Sequence, residues 1–292
     1  MFAFGLSRNL AAAMTAIDLE AEYNNRARVP EHPAIIAKWK SDAEMFRAAH
    51  KNVEQDVYGP QPRLKTDIFW PDASRDAPLA LFIHGGYWQA LDPSFFSHLA
   101  KAANANGVAL AICGYNLCPE VSVGLIIEEV RVAVFSLWRR YRRRILACGH
   151  SAGGHLSACL LATDWREWST EHDLPEDLVP AGLSVSGLFD LTPLVPTTVN
   201  NALQLDEAEA ARLSPLHWLL SGKRTLDAWV GGVESAEYLR QSRTVAEAWG
   251  KQGAETAYCE IAGANHFTAL DPLNDPESRI SQRLAALAHA LR

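Results

Sequence analysis

The chain has no apolar stretch approaching the ~20 residues a membrane-crossing helix requires. Its first residues, MFAFGLSRNLAAAMTAIDLE, lack a basic start, and Arg8 and Asn9 interrupt the short apolar run, so a secretory leader is not expected. Met14 opens a cleaner segment; residues 1–13 read as an extension, and 1–17 as a frayed end. Basic residues are in deficit: 27 Lys and Arg against 34 Asp and Glu leave a formal charge of −7. Such a surface is poorly suited to phosphate backbones, so nucleic acid is not expected as a partner. No two of the five cysteines (Cys113, Cys118, Cys148, Cys159, Cys259) form a CxxC pair. A disulfide framework and a cysteine zinc site are thereby disfavoured, and the five read as buried thiols in a reducing, cytoplasmic setting. The histidines show no HExxH spacing, so no metal or organic cofactor is implied. Repeats and low-complexity linkers are also missing. A homodimer is compatible with all of this.

What remains is a 292-residue chain, 48% hydrophobic, in which short apolar runs alternate with amphipathic ones. Strands are expected at 67–70, 79–83, 108–113, 145–148, 181–186, 224–230 and 256–261. Helices are expected at 34–50, 94–106, 121–141, from the second glycine motif to 163, around 244–250, and at 277–291. This alternation predicts an α/β fold, a mostly parallel sheet flanked by helices on both faces, in one domain over 1–292. Segment 190–221, rich in Pro and Leu, breaks the rhythm and reads as a small cap. The cluster Arg139, Arg140, Arg142, Arg143 and Arg144 closes helix 121–141. It reads as a cationic end complementing the helix dipole rather than as an anion site.

Two glycine motifs carry the chemistry. Gly149-His150-Ser151-Ala152-Gly153 matches G-x-S-x-G between a strand and a helix. That turn is tight, strained, and lifts a serine oxygen above the sheet edge, as in the α/β-hydrolase fold. His84-Gly85-Gly86-Tyr87-Trp88 follows another buried strand. Its free N–H groups, with that of Ala152, suit an oxyanion hole, Gly86 first and then Tyr87 or Gly85. His84 reads as structural. The base must come from after the last strand, where Gly263-Ala264-Asn265-His266-Phe267 supplies His266. His289 sits in the final helix and reads as a surface residue, whereas His150 and His155 flank the nucleophile and orient or line its pocket. The acid should follow the strand before last: Glu234 holds that place, with Asp190 as the alternative and Asp227 within the strand.

These residues resemble the serine-dependent arylformamidase (kynurenine formamidase) group of α/β-hydrolases. The likeness runs through HGGYW at 84–88, YNLCPEVS at 115–122, GHSAGGH at 149–155 and SGLFDLTPL at 186–194. It continues through V-N-N-A-L at 199–203, LSPL at 213–216 and NHF at 265–267. By position it implies Ser151, His266 and Glu234 as the triad, although the family commonly has aspartate where this chain has Glu234. It implies hydrolysis of N-formyl-L-kynurenine to formate and kynurenine. A formyl group needs little room, whereas an aryl amine needs aromatic walls, which Tyr87, Trp88, His155, Phe189, Trp218 and Phe267 are expected to supply. The alternative is a carboxylesterase or amidase acting on short-chain or aryl esters and amides. A non-catalytic binding protein is disfavoured because serine and histidine are both kept.

Overall fold

Along β3 (Leu79–Ile83) every residue is buried, and its side chains alternate between two cores. Leu79, Leu81 and Ile83 pack into one core, Ala80 and Phe82 into the other. A strand with a period of two and no polar face must be covered on both sides. The computed structural model, which describes residues 17–169 and 174–292, builds that cover around one eight-stranded sheet. The expected extension at 1–13 lies outside the described residues, as does nearly all of 1–17.

The other strands are β1 (Val53–Val57), β2 (Lys65–Phe69), β4 (Ala109–Cys113), β5 (Ile145–His150), β6 (Ala181–Val185), β7 (Thr225–Gly231) and β8 (Glu255–Ile261). Their order is β1-β2-β4-β3-β5-β6-β7-β8. From β4 through β8 neighbouring strands are parallel, whereas β2 runs antiparallel to both β1 and β4. The helices are α1 (Leu19–Tyr23), α2 (Asn25–Arg28), α3 (His32–Ala49), α4 (Ala100–Ala105), α5 (Val123–Tyr141), α6 (Ala152–Ala162), α7 (Trp165–Trp168), α8 (Asn200–Leu203), α9 (Glu207–Arg212), α10 (Ala236–Lys251) and α11 (Arg279–His289). One core lies between the sheet and α5 and α6; the other lies under α3, α4 and α11. Among the described residues no helix is long and apolar enough to cross a membrane.

The expected α/β architecture is therefore present, with local differences. β1, Val-Glu-Gln-Asp-Val, escaped the pattern reading because it is a polar edge strand with an alternating exposed face. Its charges are used: Glu54 pairs with Arg75 and with Arg140, and such charged edges discourage pairing with another chain. The expected helix at 94–106 is instead two 3-10 turns, Pro93–Phe95 and Ser97–Leu99, followed by the short α4. Phe96, Ser97, His98 and Leu99 are all buried in succession, which a helix with a single buried face cannot satisfy. The arginine cluster is neutralised or stacked: Arg144 reaches Asp177 at 2.7 Å, Arg143 reaches Asp76 at 3.2 Å, and Arg142 lies 4.1 Å over the Trp138 ring. The five cysteines are unpaired, four of them buried and Cys259 only partly. Segment 190–221 holds α8, α9 and two 3-10 turns, and its Thr198 and Val199 border a cavity of about 420 Å³.

Asp227, inside β7, is 2% exposed, and its carboxylate accepts two hydrogen bonds from Arg283 of α11, at 2.7 and 3.0 Å. This forked pair ties the last helix to the sheet. Arg283→Ala leaves a buried carboxylate without its partner and is expected to cost about 3 kcal/mol. Urea unfolding followed by tryptophan fluorescence measures this; a loss below about 1 kcal/mol would mean the pair behaves as a solvent-screened surface bridge.

Candidate active site

Between β5 and α6 the chain turns through Ser151, whose φ of 57° and ψ of −118° are unfavourable for a residue with a side chain. Such a conformation costs ~1–3 kcal/mol and must be held by its surroundings. The Ser151 N–H donates to the Val185 carbonyl at 2.9 Å, and its carbonyl accepts from the His155 N–H at 3.1 Å. Close packing fixes the turn from the other side. A Cβ on Gly153 would stand 1.9 Å from the Ile83 carbonyl oxygen, so only glycine lets α6 descend against β3.

β3 leads into a second strained turn. Gly86, Tyr87 and Trp88 have successive φ values of 108°, 51° and 56°. The turn is closed by the Gln89 N–H donating to the Gly86 carbonyl at 3.0 Å. It abuts the serine: a Cβ on Gly85 would lie 3.0 Å from Ser151 Cβ. Among the described residues, the N–H groups of Gly85, Gly86, Tyr87 and Ala152 have no acceptor. Four free donors beside one hydroxyl suit the stabilisation of negative charge on a carbonyl oxygen. His84 braces this turn, its Nδ1 lying 2.8 Å from the Gly85 carbonyl and its ring stacked 4.3 Å from Tyr115. Burial pushes its pKa down to about 4, so it is a neutral brace.

His266 follows β8, and Glu234 follows β7. The His266 Nδ1–H donates to Glu234 Oε2 at 2.7 Å. The other carboxylate oxygen accepts from the Ser186 hydroxyl at 2.5 Å and the Gly231 N–H at 2.6 Å. Gly231 is needed because a Cβ there would meet the Ala264 carbonyl oxygen at 2.4 Å and Glu234 Oε1 at 2.9 Å. With its Nδ1 proton committed to Glu234, neutral His266 keeps the Nε2 lone pair for accepting a proton. Its ring lies 4.7 Å from that of His150 and 4.6 Å from that of Tyr238. His150 donates to the His266 carbonyl at 2.7 Å, and burial keeps it well below the usual histidine range. Asp190, the alternative acid, instead accepts from the Thr192 N–H at 3.0 Å and hydroxyl at 2.6 Å, closing a local turn. His289 sits on α11 at the surface, 3.0 Å from the Asn106 carbonyl.

Ser151 and His266 border the same cavity of about 420 Å³, whose walls include Trp39, Tyr87 and Phe267. Of the expected pocket residues, Tyr87 and Phe267 are at this cavity, and the other four require correction. Trp88 is fully buried and meets His155 edge-on at 5.0 Å, one layer beneath. His155, one helical turn past Ser151, points into the core and bonds the Leu213 carbonyl at 2.8 Å. Phe189 is buried in the cluster beneath α10, and Trp218 bonds the Arg212 carbonyl at 2.9 Å under the Arg131 guanidinium. Nearness in sequence to the motifs did not reveal which rings would reach the cavity and which would lie beneath it.

Other contributors were missed altogether. The Tyr87 hydroxyl donates to the Tyr23 carbonyl at 2.6 Å and lies 2.7 Å from the Tyr238 hydroxyl, which also accepts from Asn25 Nδ2 at 2.9 Å. The Tyr23 hydroxyl donates to Glu237 at 2.7 Å. Ser235-x-x-Tyr238 does place a ring on the first turn of the helix after Glu234, a readable signal. Nothing in residues 23–25 marks partners more than 200 positions away.

Two predictions follow from these contacts. Ser186→Ala removes one of three donors to Glu234 and is expected to lower kcat about tenfold with little change in KM; steady-state kinetics test it, and an effect confined to KM would contradict it. His84 and His155 are both held at a pKa of about 4 by burial. The unfolded chain, with histidine near 6.5, binds their protons first, so stability is complete above about pH 6.5 and falls toward pH 4. Each histidine contributes a slope of about 1.4 kcal/mol per pH unit. The Tm should be level above neutrality and drop between those limits; a Tm constant down to pH 5 would rule this out.

The family model described as BD-FAE matches residues 66–215. A kynurenine formamidase of Salmo salar is 30% identical over 258 residues, covering 85% of this chain and 86% of that protein. A kynurenine formamidase of Danio rerio is 29% identical over 286 residues, covering 93% and 96%. A crystal structure from Silicibacter sp., provisionally described as a thioesterase, superposes with a TM-score of 0.78 at 33% identity, covering 91% of this chain and 98% of that one. A thermostable carboxylesterase from a metagenomic library shares the fold, with a TM-score of 0.68 at 18% identity over 89% of this chain and 97% of that one.

Proposed function

The chain belongs to the kynurenine formamidase family of α/β-hydrolases, and on that premise we propose that it hydrolyses N-formyl-L-kynurenine to formate and kynurenine. The observation that carries the proposal is an imidazole already oriented by a carboxylate at 2.7 Å and bordering the same aromatic-walled cavity as Ser151. In the proposed reaction Ser151 Oγ attacks the formyl carbon while His266 Nε2 takes its proton. The carbonyl π electrons move to oxygen, where the N–H groups of Gly86 and Ala152 receive the charge, with Tyr87 and Gly85 as further donors. Collapse re-forms the carbonyl and breaks the C–N bond, as His266 returns the proton to the departing aryl amine. A water, deprotonated by His266, then attacks the formyl ester, and formate leaves with Ser151 restored. Glu234 holds the imidazole tautomer and stabilises the imidazolium. It stands where the family commonly has aspartate, and the Ser186 and Gly231 donors hold its carboxylate.

The same machinery suits short esters or thioesters, a reading favoured by the Silicibacter protein's description. Purified enzyme should show a kcat/KM for N-formyl-L-kynurenine well above that for p-nitrophenyl acetate, and butyryl esters should be turned over least. Ser151→Ala should lower kcat by several orders of magnitude on every substrate. A preference for the ester over the formamide would replace this proposal with the esterase reading.

A further inference from the structure

Among the described residues, Arg26 is the one arginine whose guanidinium has no hydrogen bond, ion pair or ring contact, and it borders the catalytic cavity. The other arginines are paired, stacked or bonded to carbonyls, as Arg28 is to Glu22, Arg63 to Asp92 and Arg224 to Leu161. Among the described residues no carboxylate side chain lines this cavity, and Arg26 is their only formal charge there apart from two histidines. An unpaired cation at the mouth of a catalytic cavity, in a chain of net charge −7, lacks the counter-ion that most arginines here possess.

The backbone carrying Arg26 is fixed on both sides of the site. The preceding residue, Asn25, is buried and bonds Tyr238 at 2.9 Å and Tyr87 at 3.4 Å. The Tyr23 carbonyl is held by the Tyr87 hydroxyl at 2.6 Å, and the Tyr23 ring is buried against α10. Tyr87 belongs to the turn beside Ser151, and Tyr238 packs on His266, so the position of Arg26 is registered to the reacting groups rather than to a loose terminus.

We propose that Arg26 is a specificity residue that binds a carboxylate on the leaving-group portion of the substrate. A guanidinium presents a planar fork matched to a carboxylate, and two parallel charge-assisted hydrogen bonds fix both position and orientation. The charge must lie on the leaving group if the acyl portion is a formyl, which carries only hydrogen. The assignment deepens the amidase reading and names the class of molecule admitted: small aryl amides or esters bearing an anionic group.

The test compares substrates that differ only in that charge. N-formyl-L-kynurenine is paired with its carboxamide, and 4-acetoxybenzoate with 4-acetoxybenzamide. Wild-type enzyme should prefer the anionic member of each pair. Arg26→Gln should reduce the anionic-to-neutral ratio of kcat/KM about 10- to 100-fold, chiefly through KM. Arg26→Lys should retain part of the preference, because it keeps the charge and loses the fork. Circular dichroism and Tm of each variant establish that it is folded. Inert formamides together with a collapsed ester-pair ratio in Arg26→Gln would remove the formamidase reading and leave the anion site standing. A ratio within twofold of wild type in every pair the enzyme turns over would overturn the assignment of Arg26.

Discussion

The short bond between His266 and the buried carboxylate of Glu234 is the constraint around which the site is arranged. A carboxylate removed from water is tolerable only where donors replace its hydration, and three converge on this one. Each comes from a different strand end: Ser186 after β6, Gly231 at the end of β7, and His266 after β8. Three adjacent parallel strands must therefore finish at matched heights, which is what their register provides. The hydrogen bonding of the acid is a property of the sheet rather than of any one loop.

The same sheet edge carries backbone strain. Positive φ occurs at Tyr87 and Trp88 beyond β3, at Ser151 beyond β5 and at Ser186 beyond β6. Conformations of this kind cost ~1–3 kcal/mol each and persist only where neighbouring packing determines them. That packing is supplied by a sheet whose central strands are buried on both faces and by α6, buried along its whole length. Strain and core belong to one arrangement: apolar burial below the edge holds strained turns above it, where Gly86, Tyr87 and Ser151 border the cavity.

How far this was legible in the sequence follows from the range of the forces involved. The parallel strands announce themselves through continuous apolar runs, and the G-x-S-x-G spacing marks its turn, although the clash that demands glycine at Gly153 is tertiary, with the Ile83 carbonyl. Glu234 and His266, whose side chains the structure brings to 2.7 Å, were singled out because chain order after successive strands restricts where such residues can stand. The polar edge strand β1 and the 3-10 turns at 93–99 were not, since their burial is set by what packs on them. The four misplaced pocket residues failed for a related reason: a motif gives proximity along the chain, whereas reaching the cavity rather than the core beneath it depends on tertiary packing.

The tyrosine–asparagine network has the longest reach and left the weakest trace. Tyr23 and Asn25 meet Glu237 and Tyr238 across more than 200 positions, and Tyr87 joins the two. Proton counting gives it a direction. The Tyr87 hydrogen is spent on the Tyr23 carbonyl, so between the two phenols Tyr238 must donate. The Tyr238 oxygen then accepts from Asn25 and has capacity for one more donor, and the Ser151 hydroxyl lies within its reach. Burial above all keeps Tyr238 protonated far above neutrality, so the network orients without supplying charge. A segment with no motif of its own thus braces the strained turn after β3, the ring beside His266 and one wall of the cavity at once.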